Sequence, residues 1–269
     1  MCEGTATRLA FAVSVWTVIG FVLLPLSVVV WLSFFANRII SFPPTGYTLA
    51  WYARAWGVAD FRNGLLLSLQ LGGCATLGSL LLGAPAALAL VRGRFPGREA
   101  LSTLLLAPMI VPGIVGGSAL FMAYIEFEVA TDQQLAGTLP GLLAAHVLIA
   151  RPWTVRLLTA SLTGLDRAVE EAAANLGASP RRVFLLVTLP MVRPGVIAAA
   201  LFSFVISFID LEKSLFLVGP GRTTLQIAIV NYLEWNLDPT IGAVATVQIL
   251  IITAALVVTD HYAKLSRVF

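Results

Sequence analysis

Charged residues near position 210 could bind an ionic group, because they stand in an otherwise apolar stretch. Asp210, Glu212 and Lys213 interrupt a run that extends from Pro194 to Val218. If the run is one helix, Asp210 and Lys213 lie three positions apart and could form an ion pair. Two interpretations stay open at this stage: a structural ion pair near a membrane surface, or a polar lining that attracts a cation.

A further charge lies near the middle of another apolar run, Leu139–Leu162. This residue is Arg151. A charged side chain at such a depth normally faces the interior of a helix bundle or water. A structural partner and a role in passing a solute are equally compatible with its position.

Patterns typical of enzymes are missing from the sequence. It contains no GxSxG, HExxH or CxxC pattern, and the two histidines stand far apart. Neither lysine, Lys213 or Lys264, belongs to a phosphate-binding loop. We therefore expect no catalytic residue, no metal site and no cofactor in this chain, so that any ATP and Mg²⁺ must be bound by another chain.

Composition indicates a membrane protein that crosses the bilayer several times. The 269 residues are 58% hydrophobic and 12% charged, with a mean hydropathy of +0.91, whereas soluble domains average about 25% charged residues. The net charge of +3 is too small to suggest binding to nucleic acid. Six runs have the length that a membrane-spanning helix needs: Leu9–Phe35, Leu65–Val91, Ala100–Tyr124, Leu139–Leu162, Pro194–Val218 and Ile241–Val258.

The distribution of basic residues predicts the orientation. Six spans place both termini on one side, and most of the arginines and lysines fall on that same side: Arg8, Arg92, Arg94, Arg98, Arg167, Arg181, Arg182, Arg193, Lys264 and Arg267. The loop predicted at 125–138, on the other side, is acidic and carries Glu126, Glu128 and Asp132. Because cytoplasmic loops are enriched in Lys and Arg, we expect both termini in the cytoplasm.

The longest predicted cytoplasmic segment reads as two short helices separated by a glycine. Asp166 is a good N-cap for the first helix, and Gly177 suits the position that follows its last turn. Ser179 and Pro180 are typical of the start of a second helix. Leu189-Pro190 is expected to end that helix.

This segment resembles the EAA loop of permease subunits of bacterial ATP-binding-cassette importers. Glu171-Ala172-Ala173 precedes Gly177 at the family spacing, and Val187-Thr188-Leu189-Pro190 follows. Val187 stands where the family more often has Ile. The resemblance implies an all-α fold of the type I importer permease kind, with one transmembrane domain over 1–269 that includes a coupling loop at 164–190.

Two further runs resemble the polyamine (spermidine/putrescine) branch of these permeases, namely 207–217 and 237–246. The resemblance implies a multi-pass subunit of the bacterial inner membrane that works with two ATP-binding subunits. It also implies a second permease, homologous or identical, and an external substrate-binding protein. Iron(III), thiamine and aminophosphonate permeases share much of these runs and stay alternatives. A secondary transporter or channel is the alternative from another class.

Site residues follow from both lines of reasoning. The resemblance implies that Glu171, Ala172 and Gly177 couple the chain to an ATPase, and Glu170, Arg181 and Arg182 flank them in the same segment. Asp210, Glu212 and Arg151 are the candidates for contact with a solute.

Overall fold

The computed structural model describes residues 5–39 and 41–263, so the basic residues predicted at 264 and 267 lie outside the described residues. The described residues form helices, with no strand among them. The α-helices are α1 (Thr5–Leu32), α2 (Ala50–Gly57), α3 (Ala59–Arg92), α4 (Arg98–Leu106), α5 (Gly113–Thr131), α6 (Leu139–Thr163), α7 (Arg167–Asn175), α8 (Pro180–Val183), α9 (Leu189–Phe208), α10 (Glu212–Leu217), α11 (Leu225–Trp235) and α12 (Thr240–Ala263).

The prediction of an all-α membrane protein is confirmed. Five helical stretches in the described part of the chain are long and apolar enough to cross a membrane: Thr7–Leu32, Ala59–Arg92, Gly113–Thr131, Pro180–Phe208 and Thr240–Tyr262. Helix α6 occupies the position of the remaining predicted span but carries His146, Arg151 and Arg156, which lower its hydropathy. The count of six spans and the cytoplasmic location of both termini stay predictions.

The chain divides into two compact units. One comprises the described residues up to Arg62 together with Ile229–Ile251, and the other comprises Asn63–Ala228 together with the described residues from Ile252 onward. The first unit contains an ion pair between Arg54 Nη1 and the buried Asp238 carboxylate, 3.4 Å apart. The candidate functional residues all lie in the second unit. The single transmembrane domain expected over 1–269 stays a prediction.

Helix α6 is the centre of the second unit. It packs most extensively against α9 and also contacts α4 and α10. One apolar cluster joins α3, α6 and α9 beneath the predicted coupling segment; its buried members are Ala87, Leu158, Leu162, Val192 and Ala199. This packing holds together the ends of the three helices that adjoin the predicted coupling segment.

The third predicted span is wrong in its bounds. Ala100–Tyr124 is not one helix, because α4 ends at Leu106 and α5 begins only at Gly113. Pro108 lies in a single 3₁₀ turn between them, and Pro112 immediately precedes α5 with ψ near 133°. Proline cannot donate the helical hydrogen bond and disfavours helical geometry in the residue before it. Two prolines this close therefore break the predicted span into two helices.

The fifth predicted span is also wrong in its bounds. Its helix begins at Pro180, passes through a π-helical turn at Phe184–Thr188 and continues to Phe208. The second short helix of the coupling segment therefore does not end at Leu189-Pro190. Since Pro190 cannot donate a backbone bond, the helix continues only with a local change of hydrogen-bond register, which the π turn supplies.

Glycines allow α3 to approach α6 closely. A Cβ on Gly78 would lie 2.7 Å from Cγ2 of Val147, and one on Gly83 would lie 2.7 Å from Cγ2 of Thr154. The Thr154 hydroxyl is held by hydrogen bonds to Ser79 Oγ and Ser203 Oγ. Its methyl group therefore has little freedom to move away.

Replacing Gly83 by alanine should destabilise the protein by about 1–3 kcal/mol, because overpacked interiors are strained. Gly73 on the same helix is the matched control, since a Cβ there would meet nothing within 4 Å. Gly73→Ala should leave stability unchanged or raise it slightly. Thermal unfolding of the purified protein in detergent compares the two variants, and equal melting temperatures would contradict the packing of α3 on α6.

Candidate functional site

The first helix of the coupling segment (residues 164–190) and the turn that follows it have the local geometry expected from the sequence. The Asp166 carboxylate accepts a hydrogen bond from Ala168 N at 2.9 Å, which caps α7. Gly177 has φ of 85°, and the amides of Gly177 and Ala178 close the end of the helix on the carbonyls of Ala174 and Ala173. These two bonds form a Schellman turn. Ser179 takes the N-cap position of α8 without a side-chain cap bond.

Glu170 attaches this segment to two membrane helices. Its carboxylate lies 2.8 Å from Arg92 Nη2 at the end of α3, and it accepts a hydrogen bond of 2.6 Å from Thr188 Oγ1 in the π turn. Arg167 Nη2 also donates to the carbonyl of Val91 at 3.3 Å. These contacts join α7 to α3 and to the helix that continues into α9.

The surface of the segment is open for a partner. Glu171, Ala172, Arg181 and Arg182 are exposed, and Leu176 is 89% exposed. A groove of about 460 Å³ runs between α7, α8 and the end of α3. Its lining combines the carboxylates of Glu170 and Glu171 with apolar residues that include Leu88, Val183 and Phe184.

A second site lies where two of the predicted spans are broken. A cavity of about 530 Å³ separates the break before α5 from the break between α9 and α10. Its lining combines charged and apolar residues: Pro108, Met109, Ile149, Trp153, Ile206, Asp210, Glu212 and Lys213. Broken helices in membranes are tolerated where the freed backbone groups line a cavity or find partners in the protein.

Asp210 is used to hold the start of α10. Its carboxylate accepts hydrogen bonds from the amides of Lys213 and Ser214, both at 3.1 Å. The residue is only 8% exposed. The sequence suggested that Asp210 and Lys213 share one helix, but Asp210 precedes α10 and Lys213 lies within it. The two side chains nevertheless lie close, with Lys213 Nζ 4.0 Å from Asp210 Oδ1.

Glu212 is the more accessible carboxylate of this cavity. Its side chain is 47% exposed and lies 3.3 Å from Lys213 Nζ. The carboxylate also covers the start of α5, since a Cβ added to Gly113 would overlap it. Glu212 therefore faces the cavity, whereas Asp210 faces the backbone.

A buried polar network braces the break between α9 and α10. The His146 ring is hydrogen-bonded to Ser207 Oγ at 2.7 Å and to Ser214 Oγ at 3.3 Å. All three residues are nearly inaccessible to solvent. In the sequence His146 stands alone, because its partners lie 61 and 68 positions away.

The remaining candidates lie apart from this cavity. Arg151 is half-buried on α6, does not line the cavity, and its Nε has no hydrogen-bond partner among the described residues. The acidic loop predicted at 125–138 is wrong in its extent, because α5 continues to Thr131 and includes Glu126 and Glu128. Only Asp132 of the three acidic residues follows the helix.

Long apolar helices joined to an exposed pair of short helices agree with the fold expected for a membrane permease. The chain belongs to the family described as binding-protein-dependent transport system inner membrane component, which matches residues 79–266. It is thus a multi-pass inner-membrane permease of an ATP-binding-cassette importer, and membership implies an ATPase and a substrate-binding protein as partners. The alternative of a secondary transporter or channel is set aside.

Similar proteins come from several transport systems. The putrescine transport system permease protein PotI of Escherichia coli (strain K12) is 31% identical over 85% of this chain and 82% of its own length. The putative 2-aminoethylphosphonate transport system permease protein PhnV of Salmonella typhimurium (strain LT2) is 30% identical over 93% and 90%. The spermidine/putrescine transport system permease protein PotC of Haemophilus influenzae is 28% identical over 80% and 81%.

Solved structures share the fold. A bacterial transporter of the ATP-binding-cassette class, involved in importing the acidic polysaccharide alginate, contains a chain that matches with a TM-score of 0.74 at 16% identity. The match covers 97% of this chain and 99% of that one. The MetNI methionine transporter in an inward-facing conformation matches with a TM-score of 0.62, over 76% and 95%. The predicted permease fold is confirmed.

Replacing Gly177 by valine should disrupt the coupling segment and leave membrane insertion intact. A Cβ at this position would meet nothing within 4 Å, so the cost comes from the left-handed backbone, about 1–2 kcal/mol. Transport by the complete transporter should fall, while Gly177→Asn should be milder because Asn tolerates this conformation. Normal transport and normal ATPase activity in the valine variant would contradict the role of the turn.

Replacing Asp210 by leucine should destabilise the protein by about 0.5–2 kcal/mol, the usual cost of losing a carboxylate that caps a helix. Asp210→Asn keeps an acceptor oxygen and should retain most of the stability. Thermal unfolding and uptake are measured on both variants. If Asp210→Asn keeps full stability but loses uptake, Asp210 contacts the solute directly and the assignment as a cap is incomplete.

Proposed function

We propose that this permease passes a small solute through the membrane when two partner ATP-binding subunits move its coupling segment. A second permease, homologous or identical, completes the pathway, and an external binding protein delivers the solute. The observation that carries this proposal is the attachment of Glu170 to Arg92 and Thr188. Through this attachment, a partner that docks on the exposed side of α7 can move α3 and α9.

The partner subunits and this chain have different roles in the proposed mechanism. The partner ATPases bind ATP and Mg²⁺ and carry out hydrolysis, and this chain contributes no catalytic group. Glu171, Ala172, Gly177, Arg181 and Arg182 form the docking surface. Because two of these residues are arginines and one is a glutamate, the surface offers both signs of charge to the partner.

A polyamine is the solute class that the site supports best. Glu212 presents a partly exposed carboxylate to a cavity otherwise lined mostly by apolar side chains. An alkyl chain with an ammonium group fits such a lining, because its methylene groups can contact Trp153 and Ile206 while the charge faces Glu212. Two of the similar permeases named above belong to putrescine or spermidine/putrescine systems.

An aminophosphonate is the second candidate, and Lys213 is the observation that favours it. This ammonium lies within 4.0 Å of both carboxylates and lines the same cavity. A solute with an amine at one end and a phosphonate at the other would use charges of both signs. The similar permease of a 2-aminoethylphosphonate system also matches over most of this chain. Iron(III) and thiamine stay alternatives.

Uptake by the reconstituted transporter distinguishes the two candidates. If the solute is a polyamine, Glu212→Gln should lower uptake of putrescine or spermidine about fivefold, the effect of roughly 1 kcal/mol for an accessible charge pair. Lys213→Gln should then raise uptake, because a competing cation is removed. If the solute is 2-aminoethylphosphonate, both substitutions should lower its uptake.

The control is Glu128→Gln, which removes an acidic residue of α5 outside the cavity lining. Uptake of polyamine that is equal in the unmodified, Glu212→Gln and Lys213→Gln proteins would rule out a polyamine contact at this cavity. The assignment as a permease would be unaffected.

A further inference from the structure

Two arginines in the loop between α3 and α4 are not used by the coupling segment. Arg94 and Arg98 are exposed, and neither forms an ion pair within residues 5–39 and 41–263. Arg92, only two positions before Arg94, is by contrast paired with Glu170. The loop therefore connects Arg92, which is paired with Glu170, to Arg94 and Arg98, whose charges are available to another partner.

One of these arginines, Arg98, lines a polar cavity at the same end of the unit as the coupling segment, and Arg94 lies in the loop just before it. The cavity has a volume of about 740 Å³, and its lining includes Phe95, Arg98, Glu99, Ser102 and Thr159. Thr159 Oγ1 is shielded from solvent and has no hydrogen-bond partner among the described residues. A guanidinium group and two hydroxyl groups are donors suited to the oxygens of a phosphate.

Apolar side chains of α4 and of the loop before it lie near this cavity. Phe95 and Leu101 are each 37% exposed, and Leu104 is 67% exposed. They follow directly on α3, which is long and apolar enough to span the membrane. Arginines next to exposed apolar residues at the end of a membrane span are placed at the depth of lipid headgroups.

We propose that the headgroup of an anionic phospholipid binds at this cavity, with its phosphate between Arg98 and Thr159 in the lining and Arg94 in the adjoining loop. The lipid's acyl chains lie along Phe95, Leu101 and Leu104. Its phosphate complements two arginines that have no ion-pair partner among the described residues and that outnumber the single carboxylate of Glu99. A bound lipid restrains the short loop back to Arg92 and so stabilises the Arg92–Glu170 attachment. Anionic lipid thereby strengthens coupling between ATP hydrolysis and transport.

The binding step is tested with the complete transporter in nanodiscs that contain a spin-labelled phosphatidylglycerol. Each arginine near a membrane surface contributes roughly fivefold to the affinity for anionic lipid, from about 1 kcal/mol. The double variant Arg94→Gln/Arg98→Gln should therefore retain the labelled lipid about 25-fold more weakly than the unmodified protein. The matched control Arg156→Gln/Arg193→Gln removes the same charge from exposed positions elsewhere and should retain it normally.

The regulatory step is tested by ATP-driven uptake in phosphatidylcholine alone and in an equal mixture with phosphatidylglycerol. Phosphatidylglycerol should stimulate uptake by the unmodified and control proteins, and the double variant should lose this stimulation. Arg92→Gln should keep the labelled lipid and lose the stimulation. If Arg92→Gln is stimulated normally, the lipid does not act through the Arg92–Glu170 attachment.

Several results would overturn the lipid site. Retention of phosphatidylglycerol that is equal in the double variant and the unmodified protein excludes it, as does an equal loss in the control. If the double variant loses ATPase activity while its lipid retention is unchanged, Arg94 and Arg98 contact an ATPase subunit instead. If the double variant fails to assemble, the single variants Arg94→Gln and Arg98→Gln provide the same test. Each should bind the labelled lipid about fivefold more weakly than the unmodified protein.

Discussion

The ion pair between Arg92 and Glu170 is the contact on which the proposed coupling mechanism depends. It joins α7 to the end of α3 and adds to two hydrogen bonds, one from Thr188 to Glu170 and one from Arg167 to the carbonyl of Val91. In the proposed mechanism, a displacement of α7 moves the end of α3 through Arg92 and the π turn through Thr188. Both contact residues are only partly accessible, so the pair is less screened by salt than an exposed pair.

The second constraint is the shortage of water in the membrane, which requires each broken helix to satisfy its own backbone groups. At the break after Phe208, the Asp210 carboxylate accepts hydrogen bonds from the amides of Lys213 and Ser214 in α10. The His146 ring is hydrogen-bonded to both Ser207 and Ser214 and so connects the two sides of the break. These hydrogen bonds therefore stabilise the broken helix. Glu212 and Lys213 stay available to the cavity, which explains how closely spaced charges in one stretch can have different roles.

Local features were predictable from the sequence, and long-range ones were not. The cap at Asp166 and the left-handed turn at Gly177 depend on neighbouring residues only, so their residue types predicted them correctly. The helix break at Pro108 and Pro112 was missed because proline is compatible with a kink as well as with an end. Arg92 and Thr188 were not recognised as partners of Glu170, since hydrogen bonds and ion pairs between distant segments leave no local pattern.

Reversing the Arg92–Glu170 ion pair tests most directly whether this contact transmits force. In the complete transporter, the measured quantity is solute taken up per ATP hydrolysed. Arg92→Glu and Glu170→Arg should each lower this ratio, the double reversal should restore much of it, and Arg193→Glu should not change it. Unchanged ratios in both single variants, or no recovery in the double variant, would contradict the account.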